Sequence, residues 1–337
     1  MRLLTLLLGV ALVAVPAAQD ATKPAIDAEI SRARARLEAS ASETERRAMI
    51  ARLDRARTAL EAGRAYLAAY LLEAGWEGAK NYTFVKASAD ITTQEAFARK
   101  WETMGEPKPQ GRSPRVPALV DAIAAVAEAR GATTYHASLP YGQDSGISSG
   151  LYFLADSQTV MQFAAMVRGL PWPAAGTRPA FRSLAGELTA FDAELTTAYE
   201  RMEKANHPTY ISASAALKQA RTLNDRGHYA GALFEYLLSR YLFAPLRGPA
   251  AAEATAPRIA ATRTGLAANT DHTIAEMFLQ LAEEQLAGGT DTQRRSAAAV
   301  LEDVLPAYAA AIAPSTMTTA APANSAVTIT LVRWPFT

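Results

Sequence analysis

The stretch LKQARTLNDRGHYAGALFEYLLS, Leu217 to Ser239, decides how the rest of the chain reads. It begins with Leu217, carries Ala220-Arg221 and Leu223, then turns at Gly227 into an aromatic, alanine-rich run. Glycine reaches the left-handed backbone that ends one helix and lets the chain fold back, so the stretch reads as a helical hairpin. Leu53 to Gly75 repeats the plan with Ala56-Arg57, Leu60, Gly63 and a second run of the same kind. Alanine fills 75 of the 337 positions. Its helix propensity is the highest of any residue, so composition and hairpins together predict an all-α chain.

The second hairpin resembles one tetratricopeptide (TPR) unit. Gly227, Tyr229, Ala232 and Tyr236 stand at the spacing of that family's turn glycine, aromatic, small residue and second aromatic, with Ser239 at a further small position. Pro245 falls one place later than in the family pattern, and in the first hairpin Ala65 and Leu72 take the two aromatic positions. No tandem period of about 34 residues links the two units, so the expectation is TPR-like helical hairpins in an irregular α-solenoid. A generic two-helix packing with a glycine cap fits the same residues. The TPR resemblance implies a scaffold whose helical surface takes protein or peptide partners, with Tyr66, Tyr70, Tyr229 and Tyr236 as candidate contacts. At helical spacing such aromatics also serve as core filling.

Period and punctuation place helices at about 25–62, 64–75, 93–104, 117–130, 147–168, 180–205, 209–225, 228–243, 271–287 and 291–312. Thr290-x-x-Gln293 and Thr273-x-x-Glu276 read as capping boxes, and Pro306 should kink the last helix at the carbonyl of Glu302. Proline-rich breaks run from Gly105 to Pro117 and from Leu170 to Pro179, and Pro245 to Asn269 reads as a long surface loop. The break at Leu170 is the natural domain boundary. It divides an N-terminal helical domain, 20–170, from a C-terminal TPR-like domain, 180–313.

The N-terminus reads as a secretory signal peptide over 1–19: Arg2, an apolar run from Leu3 to Val15, then Pro16-Ala17-Ala18. That run is shorter than the roughly 20 residues of a spanning helix, so no transmembrane anchor is expected. Cleavage after Ala17 or after Gln19 would start the mature chain between Ala18 and Asp20, in the periplasm or outside the cell. No cysteine is present, which excludes disulfides, thiolate nucleophiles and cysteine metal sites. The formal charge is +1, and without Arg2 the chain holds 33 basic and 33 acidic residues, a balance unlike a nucleic-acid-binding footprint. Nine arginines lie between Arg32 and Arg64, but Glu38, Glu43, Glu45, Asp54 and Glu61 are interleaved, as on a solvated helix face.

Catalytic signatures are sparse, and the sequence points to no cofactor and no metal. His136, His207, His228 and His272 lack the i,i+4 pairing of a helical zinc site. Only Tyr141 to Gly150 has the polar, glycine-rich look of a site, which makes Tyr141 and Asp144 candidates for binding. Asp144 or Ser145 there would also serve as the cap of the helix that follows. After a linker at 314–324 the chain closes on Val327 to Thr337, whose alternation predicts a β-strand. Val327 to Val332 could pair with this chain near Tyr82 to Lys86, or with a sheet edge in another protein. These readings lead to an exported helical scaffold for protein or peptide partners. The alternative is an exported enzyme or small-ligand binder with its site between the two helical halves.

Overall fold

The computed structural model describes residues 17–40, 42–111, 115–247 and 253–312. The apolar run read as a signal-peptide core, the expected 314–324 linker and the expected C-terminal strand lie outside them. The described residues are α-helical, with no β-strand and a single isolated bridge, Thr177 to Thr270. None of these helices is long and apolar enough to cross a membrane.

The helices are α1 (Ala17–Ser40), α2 (Glu43–Glu61), α3 (Ala65–Ala87), α4 (Gln94–Met104), α5 (Ala118–Asp144), α6 (Ile147–Gly169), α7 (Ala185–Tyr199), α8 (His207–Asp225), α9 (Tyr229–Phe243), α10 (Ala256–Thr264), α11 (Thr273–Gly288), α12 (Asp291–Ala299) and α13 (Leu305–Ile312). Both predicted hairpins form, as α2–α3 and α8–α9, with Gly63 at φ 79° and Gly227 at φ 73°. The two turns share one hydrogen-bond pattern. Gly63 N donates to Leu60 O (3.0 Å) and Arg64 N to Ala59 O (2.9 Å); Gly227 N donates to Asn224 O (2.9 Å) and His228 N to Leu223 O (2.8 Å). This is the Schellman closure that a left-handed glycine permits. A third hairpin, α5–α6, lies between them: α3 packs on α6 and α5 packs on α9, while α1 covers α2 and α3. Helix α11 touches α3 and α5, and one buried core runs from Ile26 to Ala311.

Several boundaries differ from the sequence reading, each for a local reason. The helix expected over 25–62 is two, because the chain restarts at Ser42, whose carbonyl accepts from Arg46 N (2.9 Å). Helices expected to stop near Gly75 and at 130 continue, to Ala87 and Asp144. Their glycines are contact points: a Cβ on Gly75 would meet Leu53 at 2.6 Å, and one on Gly131 would meet Val160 at 3.0 Å. Tyr82 to Lys86, the expected strand partner, is therefore the end of α3. The loop expected over Pro245 to Asn269 contains α10, started by Thr255 Oγ1 accepting from Arg258 N (3.3 Å) with Pro257 in the first turn. The Thr290–Gln293 capping box forms, whereas Thr273 caps nothing in its own helix and serves α5 instead. Pro306 is absorbed by a π-helical segment, Val300–Val304, that joins α12 to α13.

The glycine-rich segment 141–150 has a packing role. Gly146 (φ 95°) makes the α5–α6 turn without a side-chain cap, so neither Asp144 nor Ser145 has the expected capping role. A Cβ on Gly142 or Gly150 would lie 2.3 and 2.6 Å from the Phe97 ring, so these two glycines seat α4 against the hairpin tip.

The first half of α5 is buried on nearly every side, from Ala118 to Ala129. Its N-cap is Pro117, which has no side-chain acceptor, so the first N–H groups need partners from elsewhere. Asp271 and Thr273 supply them: Ala118 N donates to Asp271 Oδ2 (2.6 Å), and Leu119 N to Thr273 Oγ1 (3.0 Å). Asp271 Oδ1 also accepts from Thr273 N (3.1 Å), and Asp271 N donates to Thr177 O (2.8 Å). Replacing Asp271 by Ala strands three buried donors, Ala118 N, Thr273 N and Thr273 Oγ1, and should destabilise the fold by about 3 kcal/mol, measured by urea unfolding. Gly150→Ala, which overpacks Phe97, should lose about 1–3 kcal/mol in the same assay.

Candidate functional site

The segment between α6 and α7, residues 170–184, crosses the molecule as an irregular strap and borders two open recesses. Its conformation is pinned early. Trp172 Nε1 donates to Val167 O (2.7 Å), and Thr22 Oγ1 to Pro171 O (2.5 Å). Trp172 then stacks on Tyr66, with centroids 5.5 Å apart and planes within 9°. Around that pair opens a recess of about 260 Å³ that also involves Lys23, Gly63, Pro173 and Gln280. Burial, then the Asp271 and Glu276 carboxylates, push the Tyr66 phenol up and keep it protonated.

A second recess, about 170 Å³, lies further along the strap between Pro179, Phe181, Asp121 and Tyr229. Arg178 fixes this part by donating to Asp121 (2.9 Å) and to Val116 O (2.6 Å). Each recess therefore faces the turn of one hairpin, Gly63 in the first and His228–Gly231 in the second. The strap that the sequence marks as a boundary is the wall that both share.

The six candidate contacts are scattered by the fold. Tyr66 and Tyr229 line the two recesses. Tyr70 meets Phe234 edge-on at 5.7 Å, and Tyr236 is buried against Phe191 with its hydroxyl accepting from Arg240 (2.7 Å). Tyr141 stacks on Phe153 at 4.3 Å, and Asp144 is exposed at the end of α5. Among the described residues no group of three or more His, Cys, Asp or Glu is arranged to hold a metal.

The sequence reading missed a buried charge cluster where α3, α5, α6 and α9 meet. Arg130 on α5 donates to Glu73 (3.1 Å) and to Glu77, and stands 3.6 Å from Asp156. Glu235 on α9 is buried nearby. Burial foremost, with the charge of Glu73 added and Arg130 opposing, pushes the Glu235 carboxyl up to about 8. Burial and Glu73 likewise push Glu77 well above the usual carboxylate range. A legible signal existed: Glu235 is the only carboxylate of α9, and Glu73 and Glu77 sit one turn apart on a largely apolar helix. Trp172, in a proline-rich break, carried no such signal.

Comparison of the chain with protein-family models, curated proteins and solved structures finds no match.

The raised Glu235 carboxyl has a consequence for pH. The folded state holds its proton up to about pH 8, whereas the unfolded chain releases it near 4.5, so the contribution of this group to stability is greatest below 4.5 and is lost as pH rises to 8. Glu235→Gln should flatten this fall and leave the variant more stable than the parent at pH 9 by on the order of 3 kcal/mol. Chemical unfolding across pH 5 to 9 measures both slopes; parallel curves would contradict the assignment.

Proposed function

We propose that the protein is an exported helical-hairpin scaffold that takes peptide or protein partners along the 170–184 strap. The observation that carries this reading is the size and lining of the Tyr66–Trp172 recess. At about 260 Å³ it is smaller than the roughly 300–1,000 Å³ of sites for drug-sized molecules, and suits one projecting side chain of a larger partner. Its walls are a stacked tyrosine and tryptophan and a proline, residue types that give large contact area with little rotamer entropy to lose. The second recess, with Tyr229 and Phe181, offers a further position on the same strap. The TPR-like spacing around Gly227 and the signal-peptide pattern of residues 1–19 support the scaffold role and the export.

A second reading, an exported acid–base enzyme or small-ligand binder, draws its support from Glu73 and Glu77, whose carboxyls are both raised. It draws none from Tyr141 to Gly150, where Gly142 and Gly150 seat Phe97.

Peptides selected from a displayed library against the mature chain should bind the parent and lose about tenfold or more in affinity to Trp172→Ala. Tyr141→Ala, remote from both recesses, should leave binding unchanged. Failure to select any peptide, or equal affinity for the Trp172→Ala variant, would remove the strap as the binding surface.

A further inference from the structure

The cluster around Arg130 leaves hydrogen-bonding capacity unused. Three carboxylates, Glu73, Glu77 and Asp156, share a single guanidinium. Asn81, one turn beyond Glu77 on α3 and only 1 % exposed, donates from Nδ2 to Asp156 Oδ1 (3.2 Å). Its Oδ1 has no hydrogen-bond partner, nor does Glu77 Oε1 on a residue 5 % exposed. An acceptor removed from water without a donor is unfavourable, so both atoms lie where a donor is missing. The cluster is reachable from outside: the Glu73 and Asp156 side chains are partly exposed, and Tyr152, 44 % exposed, stands beside them on α6. Asp156 and the Asn81 amide both act on the Tyr152 phenol, which places it at the same group.

The unused atoms are acceptors, and the carboxylates outnumber the guanidinium, so the missing partner is a donor with positive charge. A primary ammonium presents three N–H donors on one compact centre, which suits acceptors arriving from two helices. The exposed Tyr152 ring adds a face on which a cation is attracted. We propose that Glu77, Asn81 and Asp156, with Tyr152 at the mouth, form a binding site for a primary alkylammonium group. This inference is independent of the strap and its recesses.

Glu73 and Glu77 from α3, Arg130 from α5, Asp156 and Tyr152 from α6 and Glu235 from α9 are the titratable groups that face the site.

The test is calorimetric titration of the mature protein with n-butylammonium chloride at pH 7. Tetramethylammonium chloride, which has no N–H donor, serves as control. The expected result is n-butylammonium binding, no binding of tetramethylammonium, and a loss of about tenfold or more in Asn81→Ala and in the surface variant Tyr152→Ala. Titration with N-acetyl-lysine methylamide separates the two sources of such a group. Affinity equal to n-butylammonium assigns the site to a partner's lysine side chain, and markedly weaker affinity assigns it to a free amine. The proposal is overturned if tetramethylammonium binds as well, if nothing binds, or if both variants keep the parent's affinity. Should Asn81→Ala not fold, NMR of the parent protein decides: the Asn81 side-chain amide must shift on adding n-butylammonium, and an unmoved signal overturns the assignment.

Discussion

Everything in this fold is organised around the buried start of α5, and that start depends on a carboxylate 153 positions away. Pro117 fixes the backbone before the helix but cannot accept a hydrogen bond through its side chain. The first N–H groups of α5 face the core, where water cannot serve them, so an unsatisfied end would be strongly unfavourable. Asp271 and Thr273 meet that need, and the other Asp271 carboxylate oxygen accepts from Thr273 N at the start of α11. The backbone of Asp271 also holds the strap at Thr177. One short polar segment thus ties the central hairpin, the C-terminal helices and the connection between the two halves of the chain. A carboxylate suits the position because a helix N-terminus carries partial positive charge.

The same burial explains where the charged residues go. Asp121 and Glu128 are almost inaccessible on α5, and arginines from outside that helix neutralise them: Arg178 from the strap and Arg168 from α6. Arg130 performs the reverse task for carboxylates on α3 and α6. For Glu235 the opposing charge of Arg130 is outweighed and the carboxyl holds its proton, because ionising it in low dielectric beside Glu73 is more unfavourable than keeping it neutral. The buried face of this bundle is therefore a mixture of neutralised and protonated acids, and its stability depends on pH.

How much of this was legible depends on the range of the interaction. The hairpins were readable at Gly63 and Gly227 because a left-handed glycine leaves a local mark that needs no tertiary partner. Glycines 75 and 131 carry the same letter with the opposite meaning: they continue their helices and receive Leu53 and Val160. Nothing in the neighbouring sequence distinguishes a glycine that ends a helix from one against which another helix packs. The candidate site follows the same division. Tyr66 and Tyr229 could be singled out as aromatics at hairpin turns, but not their separation from Tyr70 and Tyr236, which differ only in what packs over them. Trp172 acquires its role from Tyr66, more than 100 positions earlier.

The amino-acid sequence by itself determined that the described chain is helical, where its two glycine hairpins turn, and that Thr290 with Gln293 starts a helix. All three follow from alanine propensity, backbone permissiveness and side-chain reach within one turn. Tertiary structure alone decided that Thr273 caps α5 rather than α11, that the glycines at 142 and 150 are a seat for Phe97, that the proline-rich strap walls two recesses, and that four acids gather around Arg130. Each of these joins residues distant in the chain, and its free energy exists only once the intervening helices have packed.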